Sequence, residues 1–338
     1  MKIANVTIKD IARLLDISPS TVSRALKDHP DISKTTIEKV KQLAKEMHYR
    51  PNPIALSLKS RKSNVIGVVV PEIVHYFFSS VISGIENVAQ EHGYSVMFSQ
   101  SSEDFKKEVE VCNTFRNSII DGLLISVSKT TDDYTHLQEF FDEGVPVVFF
   151  DRMVEGMEAD RVLMNDYDGA FQATQYLIVE GRRRILHFAG PQNRLIGQNR
   201  LKGYIDAHKR NGVVIDESLI LQCDNFENAI IETQKIIDSG VNFDAVFTVN
   251  DFTAAGVIKI LARNNIKVPE DVSVIGFGND YMSEMVEPTL TTVSQPGFTM
   301  GEKAMEMLIS RIDAGKSIEP RIEVLPTTLI VRETTKKR

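Results

Sequence analysis

The stretch that decides the fold runs Thr7-Ile8-Lys9-Asp10-Ile11-Ala12, a turn, then Ser18-Pro19-Ser20-Thr21-Val22-Ser23-Arg24-Ala25-Leu26. Ile8, Ile11, Ala12 and Leu15 recur at helical spacing behind Thr7, whose hydroxyl can accept from an orphan amide while Asp10 sits in the first turn. After a short turn at Asp16-Ile17, Ser18 is a second cap, and Pro19 at the first helical position gives up no hydrogen bond. Val22, Ala25 and Leu26 face inward, so Ser20, Thr21, Ser23 and Arg24 are left largely outward. A third helix starts at Ser33 and buries Ile37, Val40, Leu43, Ala44 and Met47. Two short helices about a tight turn, the second bearing small hydroxyl residues and an arginine, predict a helix-turn-helix. Small side chains let such a helix sit deep in a major groove, and Arg24 can pair twice with one guanine, worth about 1–3 kcal/mol of discrimination. Spacing alone is also met by a small helical subdomain with an exposed arginine.

Charge separates those readings. The chain of 338 residues carries a net −7, which taken alone speaks against nucleic acid. Yet residues 1–62 hold 13 Lys/Arg and 6 Asp/Glu, a net of +7, so the remainder stands at −14. A basic head on an acidic body suits a DNA-binding module attached to something else. Hydrophobic content of 42% and charged content of 25% are those of an ordinary globular protein, and the length calls for two or three domains. No apolar run approaches a membrane span, and Lys2, Lys9, Asp10 and Arg13 interrupt any signal-peptide core. Two cysteines, Cys112 and Cys223, give neither a disulfide framework nor a cysteine metal site, so a cytoplasmic protein without cofactor is expected.

From Val65 onward, candidate strands at 65–70, 95–99, 122–126, 145–150, 161–164, 185–189, 219–222, 245–249 and 272–277 alternate with helical patterns at 78–92, 105–117, 169–180, 197–211, 228–240, 254–264 and 297–314. That alternation predicts an α/β fold with doubly wound parallel sheets, and there are too many units for one sheet. Gly67 is isolated within its strand, so no dinucleotide fingerprint is present. The seven histidines (29, 48, 75, 92, 136, 187, 208) show no metal-like spacing; those beyond the head read as surface or loop residues.

The run from Thr7 to Ala12, then Val22-Ser23-Arg24-Ala25-Leu26, then His48-Tyr49-Arg50-Pro51-Asn52, resembles the head of the lactose/galactose-repressor family, and the similarity continues over nearly all of the chain. The resemblance implies a helix-turn-helix domain over 1–50 and a hinge helix and linker over 51–63. It further implies a two-lobed, periplasmic-binding-protein-like effector and dimerisation domain over 64–338, with lobe 1 at about 64–164 and 293–325 and lobe 2 at about 165–292 and 326–338. It places base contacts on Pro19, Ser20 and Arg24, phosphate contacts nearer Thr21 and Ser23, and further DNA contacts at Thr7, Tyr49 and Asn52. Asn52 can cap a short hinge helix over 53–59, marginal alone, which in the family folds in the minor groove; Leu58 would wedge between base steps, beside Ala55 and Lys59. Leu56 departs from the polar or basic residue of many members.

For the cleft, the resemblance implies an effector site from Phe77, Phe78, Asp151, Met164, Arg194, Arg200, Asn250 and Gln295, with Phe226 as an aromatic wall and Arg200 gripping ligand oxygens. Many members carry an acidic residue after the Gly-aromatic pair of the late strand. Here Gly276-Phe277 is followed by Gly278, and Asp280 stands two residues on as a substitute acceptor. Bland readings stand beside these: Phe77 and Phe78 as core, Asp151-Arg152 as a local ion pair, Asn250-Asp251 as a cap.

These readings converge on a transcription regulator, a repressor by resemblance and not an enzyme. It would be a homodimer on a pseudo-palindromic operator of double-stranded DNA, controlled by a small-molecule effector such as a sugar, with no membrane partner. The tail lacks the apolar heptads of a tetramerising coiled coil. Control by a partner protein, and a sugar-binding protein without a transcriptional role, remain as rivals.

Overall fold

The computed structural model describes residues 6–49, 62–152, 154, 156–314 and 319–336. The hinge residues Asn52, Ala55, Leu56, Leu58 and Lys59 lie outside the described residues. The chain divides into two compact units, Met1–Asn64 and Val65–Arg338.

The first unit holds α1 (Ile8–Leu14), α2 (Pro19–Ala25) and α3 (Lys34–Glu46). Ile11, Val22, Ala25 and Val40 are fully buried at their junction, with Ile37, Leu43, Met47 and Tyr49 packed around them. The turn between α1 and α2 puts Asp16 at φ 52°, a left-handed conformation that aspartate tolerates better than most residues. Ser18 and Ser33 cap α2 and α3 by accepting from the amides of Thr21 and Thr36. At α1 Thr7 and Asp10 form a capping box. The Thr7 hydroxyl and amide both donate to the Asp10 carboxylate, at 2.7 and 3.0 Å, because a carboxylate is the stronger acceptor.

The second unit is two open sheets. Its elements run β1 (Val65–Val70), α4 (Tyr76–Glu91), β2 (Ser95–Gln100), α5 (Phe105–Asn117), β3 (Gly122–Ile125), α6 (Thr135–Asp142), β4 (Val147–Phe150), β5 (Asp160–Met164), α7 (Asp166–Val179), β6 (Ile185–Ala189), α8 (Leu195–Arg210), β7 (Ile220–Gln222), α9 (Phe226–Asp238), β8 (Ala245–Thr248), α10 (Asp251–Arg263), β9 (Ser273–Gly278), α11 (Met282–Met285), β10 (Thr291–Ser294), α12 (Gly297–Ala314), β11 (Ile322–Leu325) and β12 (Thr328–Ile330). Strand order in lobe 1 is β11-β5-β4-β3-β1-β2, all parallel. In lobe 2 it is β12-β10-β9-β8-β6-β7, parallel except for β12. Central strands such as β1 and β3 read as unbroken apolar runs because helices cover both sheet faces. Gly67 is explained by packing: a Cβ there would lie 2.7 Å from the Phe115 ring.

The chain crosses between lobes at Asn165, at Gln295–Pro296 and at Pro326–Thr327, as the sheet memberships require. Thr291–Ser294 is therefore a strand of lobe 2, and the second crossing follows residue 294 rather than preceding 293. The segments 291–294, 322–325 and 328–330 are strands that were not among the expected ones, and helix α6 was not anticipated. Three histidines expected at the surface are buried: His136, His187 and His208. His187 stacks against Tyr204 and Phe247, and the His208 ring packs on Tyr204.

Candidate functional site

Two surfaces follow from this architecture. On the head, α2 presents Pro19, Ser20 and Arg24 to solvent, with Thr21 and Ser23 half-buried beneath them. The Ser18 hydroxyl lies 2.7 Å from the Ser20 hydroxyl and 2.8 Å from that of Thr21, a polar belt at the helix N-terminus. Arg24 has no ion-pair partner among the described residues, so its guanidinium is available to a ligand. Tyr49 is half-buried against the head's core, and burial raises its phenol pKa.

In the second unit, a cavity of about 210 Å³ lies between the lobes. Its lining comes from segments that follow strand C-termini, where the crevice of a parallel sheet opens. Lobe 1 supplies His75 to Phe78 after β1, Glu103 after β2, Lys129 after β3, and Asp151 and Arg152 after β4. Lobe 2 supplies Arg194 and Arg200 after β6, Asp224 after β7, Asn250 to Phe252 after β8, and Phe277, Gly278 and Asp280 from β9 onward; Gln295 sits in the crossing.

The charged groups are largely engaged with one another. Arg200 donates from Nε to Asp166 at 2.8 Å and from Nη1 to the Val249 carbonyl, and its guanidinium carbon lies 3.6 Å from the Phe277 ring centre. Burial raises the Asp166 pKa even against that cation. Arg152 donates to Glu103 at 2.8 Å and to the Val127 carbonyl at 3.3 Å. Burial opposes charge on Glu103, yet Arg152 and the Lys129 amide hold its carboxyl below the ordinary range. Burial pushes the carboxyls of Asp151 and Asp251 up to about 6, only partly countered by Arg152 at the first and by the Thr292 hydroxyl at the second.

Several expected site residues occupy different positions from those anticipated. Phe226 begins α9 and is not among the cleft residues; the Lys259 amine lies 5.2 Å from its ring centre. Met164 is buried beside a smaller adjoining cavity that also touches Asp151, Asp166 and Arg194. Asn250 lines the cleft, but its amide is spent: Oδ1 caps α10 through the Thr253 amide, and Nδ2 donates to the Asp224 carbonyl. Asp251 is not the cap; its carboxylate turns under β9 to accept from Thr292 and from the Asp280 amide. Phe77, Phe78, Asp151, Arg194, Arg200, Asp280 and Gln295 all line the cavity. Missed were His75, Tyr76, Glu103, Lys129, Asp224 and Phe252; each follows a strand end, and that position was the available signal.

Residues 7–52 match the family described as bacterial regulatory proteins, lacI family, and residues 174–335 match the periplasmic binding protein-like domain. The HTH-type transcriptional repressor PurR of Vibrio parahaemolyticus serotype O3:K6 is 34% identical over 335 residues, 98% of this chain and 99% of that protein. The HTH-type transcriptional repressor CytR of Escherichia coli K12 is 32% identical over 331 residues, 98% of this chain and 96% of that one. Among solved structures, a transcriptional regulator CelR–cellobiose complex matches with a TM-score of 0.75 and 29% identity, covering 98% of this chain and 100% of that chain. The chain belongs to the lacI family of bacterial regulatory proteins, as a DNA-binding transcriptional regulator with a helix-turn-helix head and a two-lobed body.

Proposed function

We propose that this chain is a cytoplasmic repressor that binds a pseudo-palindromic operator as a homodimer and is switched by a small polar ring compound, a sugar or related metabolite, held between the lobes. It carries out no reaction of its own. The observation that carries the DNA half is the α2 face: Pro19, Ser20 and Arg24 exposed above a capped N-terminus, with Arg24 unpaired among the described residues. The ligand half rests on the cavity's mixture of aromatic rings and hydrogen-bonding groups at the ends of eight strands, and on the likeness to a regulator solved with cellobiose. An effector acts only through different affinity for the two arrangements of the lobes.

Selection from a random duplex pool tests the reading. It should return an imperfect inverted repeat. Arg24→Ala should bind that repeat about 1–3 kcal/mol more weakly while its binding to unrelated DNA stays the same. A wild-type protein that binds the repeat and random DNA equally removes the proposal. Thermal unfolding with cellobiose and monosaccharides then tests the ligand half, since a bound effector raises stability by mass action.

A further inference from the structure

Resting on the reading of the cleft as the effector site, we infer that this cleft excludes anions: it takes a neutral or positively charged ligand rich in hydroxyl or amino donors, with Asp280 as its acceptor, and turns away phosphate esters.

Six carboxylates line the cavity against four lysine or arginine side chains. The four cations are already committed. Arg200 is held by Asp166, Arg152 by Glu103, and the Lys129 amine by Asp224 at 3.1 Å. Arg194 alone has no carboxylate partner. Two carbonyl oxygens of the opposite lobe, those of Lys129 and Thr131, hold its Nη2, and its Nε is buried without a partner. A phosphate would therefore meet one arginine engaged across the cleft, among carboxylates.

The acidic side retains acceptor capacity. One oxygen of Asp280 accepts from the Met282 amide at 3.2 Å; the other has no partner among the described residues. The Asp280 amide donates to Asp251 Oδ2 at 2.8 Å, which fixes the two carboxylates side by side. Gly278 sits beside them at φ 135°, and a Cβ there would lie 3.5 Å from Asp251 Oδ2. Asp251 is itself buried with both oxygens taken, by the Thr292 hydroxyl and the Asp280 amide, so the acceptor absent at position 278 is supplied by Asp280. Burial has already raised the carboxyl pKa of Asp151 and Asp251, so further negative charge here meets resistance, whereas a hydroxyl or ammonium donor relieves it.

The test uses the full chain. Thermal unfolding is followed in inorganic phosphate and in chloride at equal ionic strength, for wild type and for Asp280→Lys. Phosphate should leave the wild type unmoved and protect the variant. An equal response of wild type and folded variant overturns the proposal, as does wild-type protection that Arg194→Met abolishes. Matched pairs then decide independently of how the variant folds: glucose with glucose 6-phosphate, and ribose with ribose 5-phosphate. Each phosphate ester should bind at least about tenfold more weakly than its parent, and a tighter ester overturns the proposal. If phosphate protects only Asp280→Lys while every sugar is silent, anion exclusion stands and the ring-ligand reading falls instead.

Discussion

At the scale of single residues, His187 shows what burial does to a titrating group. Its ring lies 4.8 Å from Tyr204 and 4.9 Å from Phe247, nearly parallel to both, and Nδ1 donates to the Phe247 carbonyl at 3.0 Å. Burial holds the imidazole neutral, with its pKa pushed down to about 4. The folded value lies below the unfolded one of about 6.5, so the unfolded chain takes up the proton first. This contribution is complete above about pH 6.5 and is lost as pH falls toward 4. Asp151 and Asp251 act with the opposite sign. Their carboxyls stand at about 6, above the unfolded range, so each costs stability above that pH and the cost is relieved on acidification. Each group is worth up to about 3 kcal/mol. His187→Phe, which keeps the stack, should therefore gain about 2–3 kcal/mol over wild type at about pH 4.5 relative to their difference at neutral pH. Denaturant titrations of both proteins across that window check it, and parallel pH profiles would show that His187 is not held neutral.

At the scale of elements, the close crossing of α4 and α12 hangs on two glycines. A Cβ at Gly84 of α4 would lie 2.0 Å from the Phe298 carbonyl oxygen, and one at Gly301 of α12 would lie 2.0 Å from that of Val81. These are backbone atoms, so a methyl group cannot be absorbed by a rotamer change. Gly84→Ala should force α4 and α12 apart and destabilise lobe 1 by at least about 1–3 kcal/mol; an unchanged denaturation midpoint would refute that packing account. Such a crossing was not legible in the sequence, because a glycine inside a helical pattern does not say what approaches it. The long elements were legible, since β1 is an unbroken apolar run and α10 and α12 repeat their apolar residues at helical spacing. The strands at 291–294, 322–325 and 328–330 were not. Each has only three or four residues, with threonine or glutamate among them, and takes its strand character from the neighbour it pairs with. Much of the cleft was legible for a related reason: strand ends could be located, and strand ends line it. What escaped was how its charges are spent. Arg200, expected to grip a ligand, is held by Asp166, and only the tertiary fold brings that pair together.

At the scale of the whole two-lobed body, the lobes are clasped on the side of Lys129. The loop after β3 sends the Lys129 amine to Asp224 of lobe 2, and Arg194 of lobe 2 reaches back to the carbonyls of Lys129 and Thr131. That loop is anchored within its own lobe by Glu108, which is fully buried and accepts from the Ser128 amide at 2.6 Å, the Thr131 hydroxyl at 2.9 Å and His136 at 3.0 Å. Elsewhere the lobes touch through rings, His75 on Phe252 at 5.5 Å and Tyr76 on Tyr281 at 4.3 Å. Magnitudes rank the polar contacts. The Lys129–Asp224 pair is 38% and 26% exposed, so it contributes about 0–1 kcal/mol and weakens with salt. Arg194 makes charged hydrogen bonds to two carbonyls, with its Nε buried, each bond worth about 1.5–3 kcal/mol. Arg194 should therefore dominate the clasp. Spin labels at exposed Lys106 and Glu227, one in each lobe, would read the distance across it, and the native thiols of Cys112 and Cys223 are buried away from the label. Arg194→Met should lengthen and broaden that distance in the ligand-free protein, and Asp224→Asn should do so only slightly, in a manner matched by adding salt to the wild type. Equal widening in the two variants would overturn the ranking, and no widening in Arg194→Met would show that the ring contacts alone hold the lobes together.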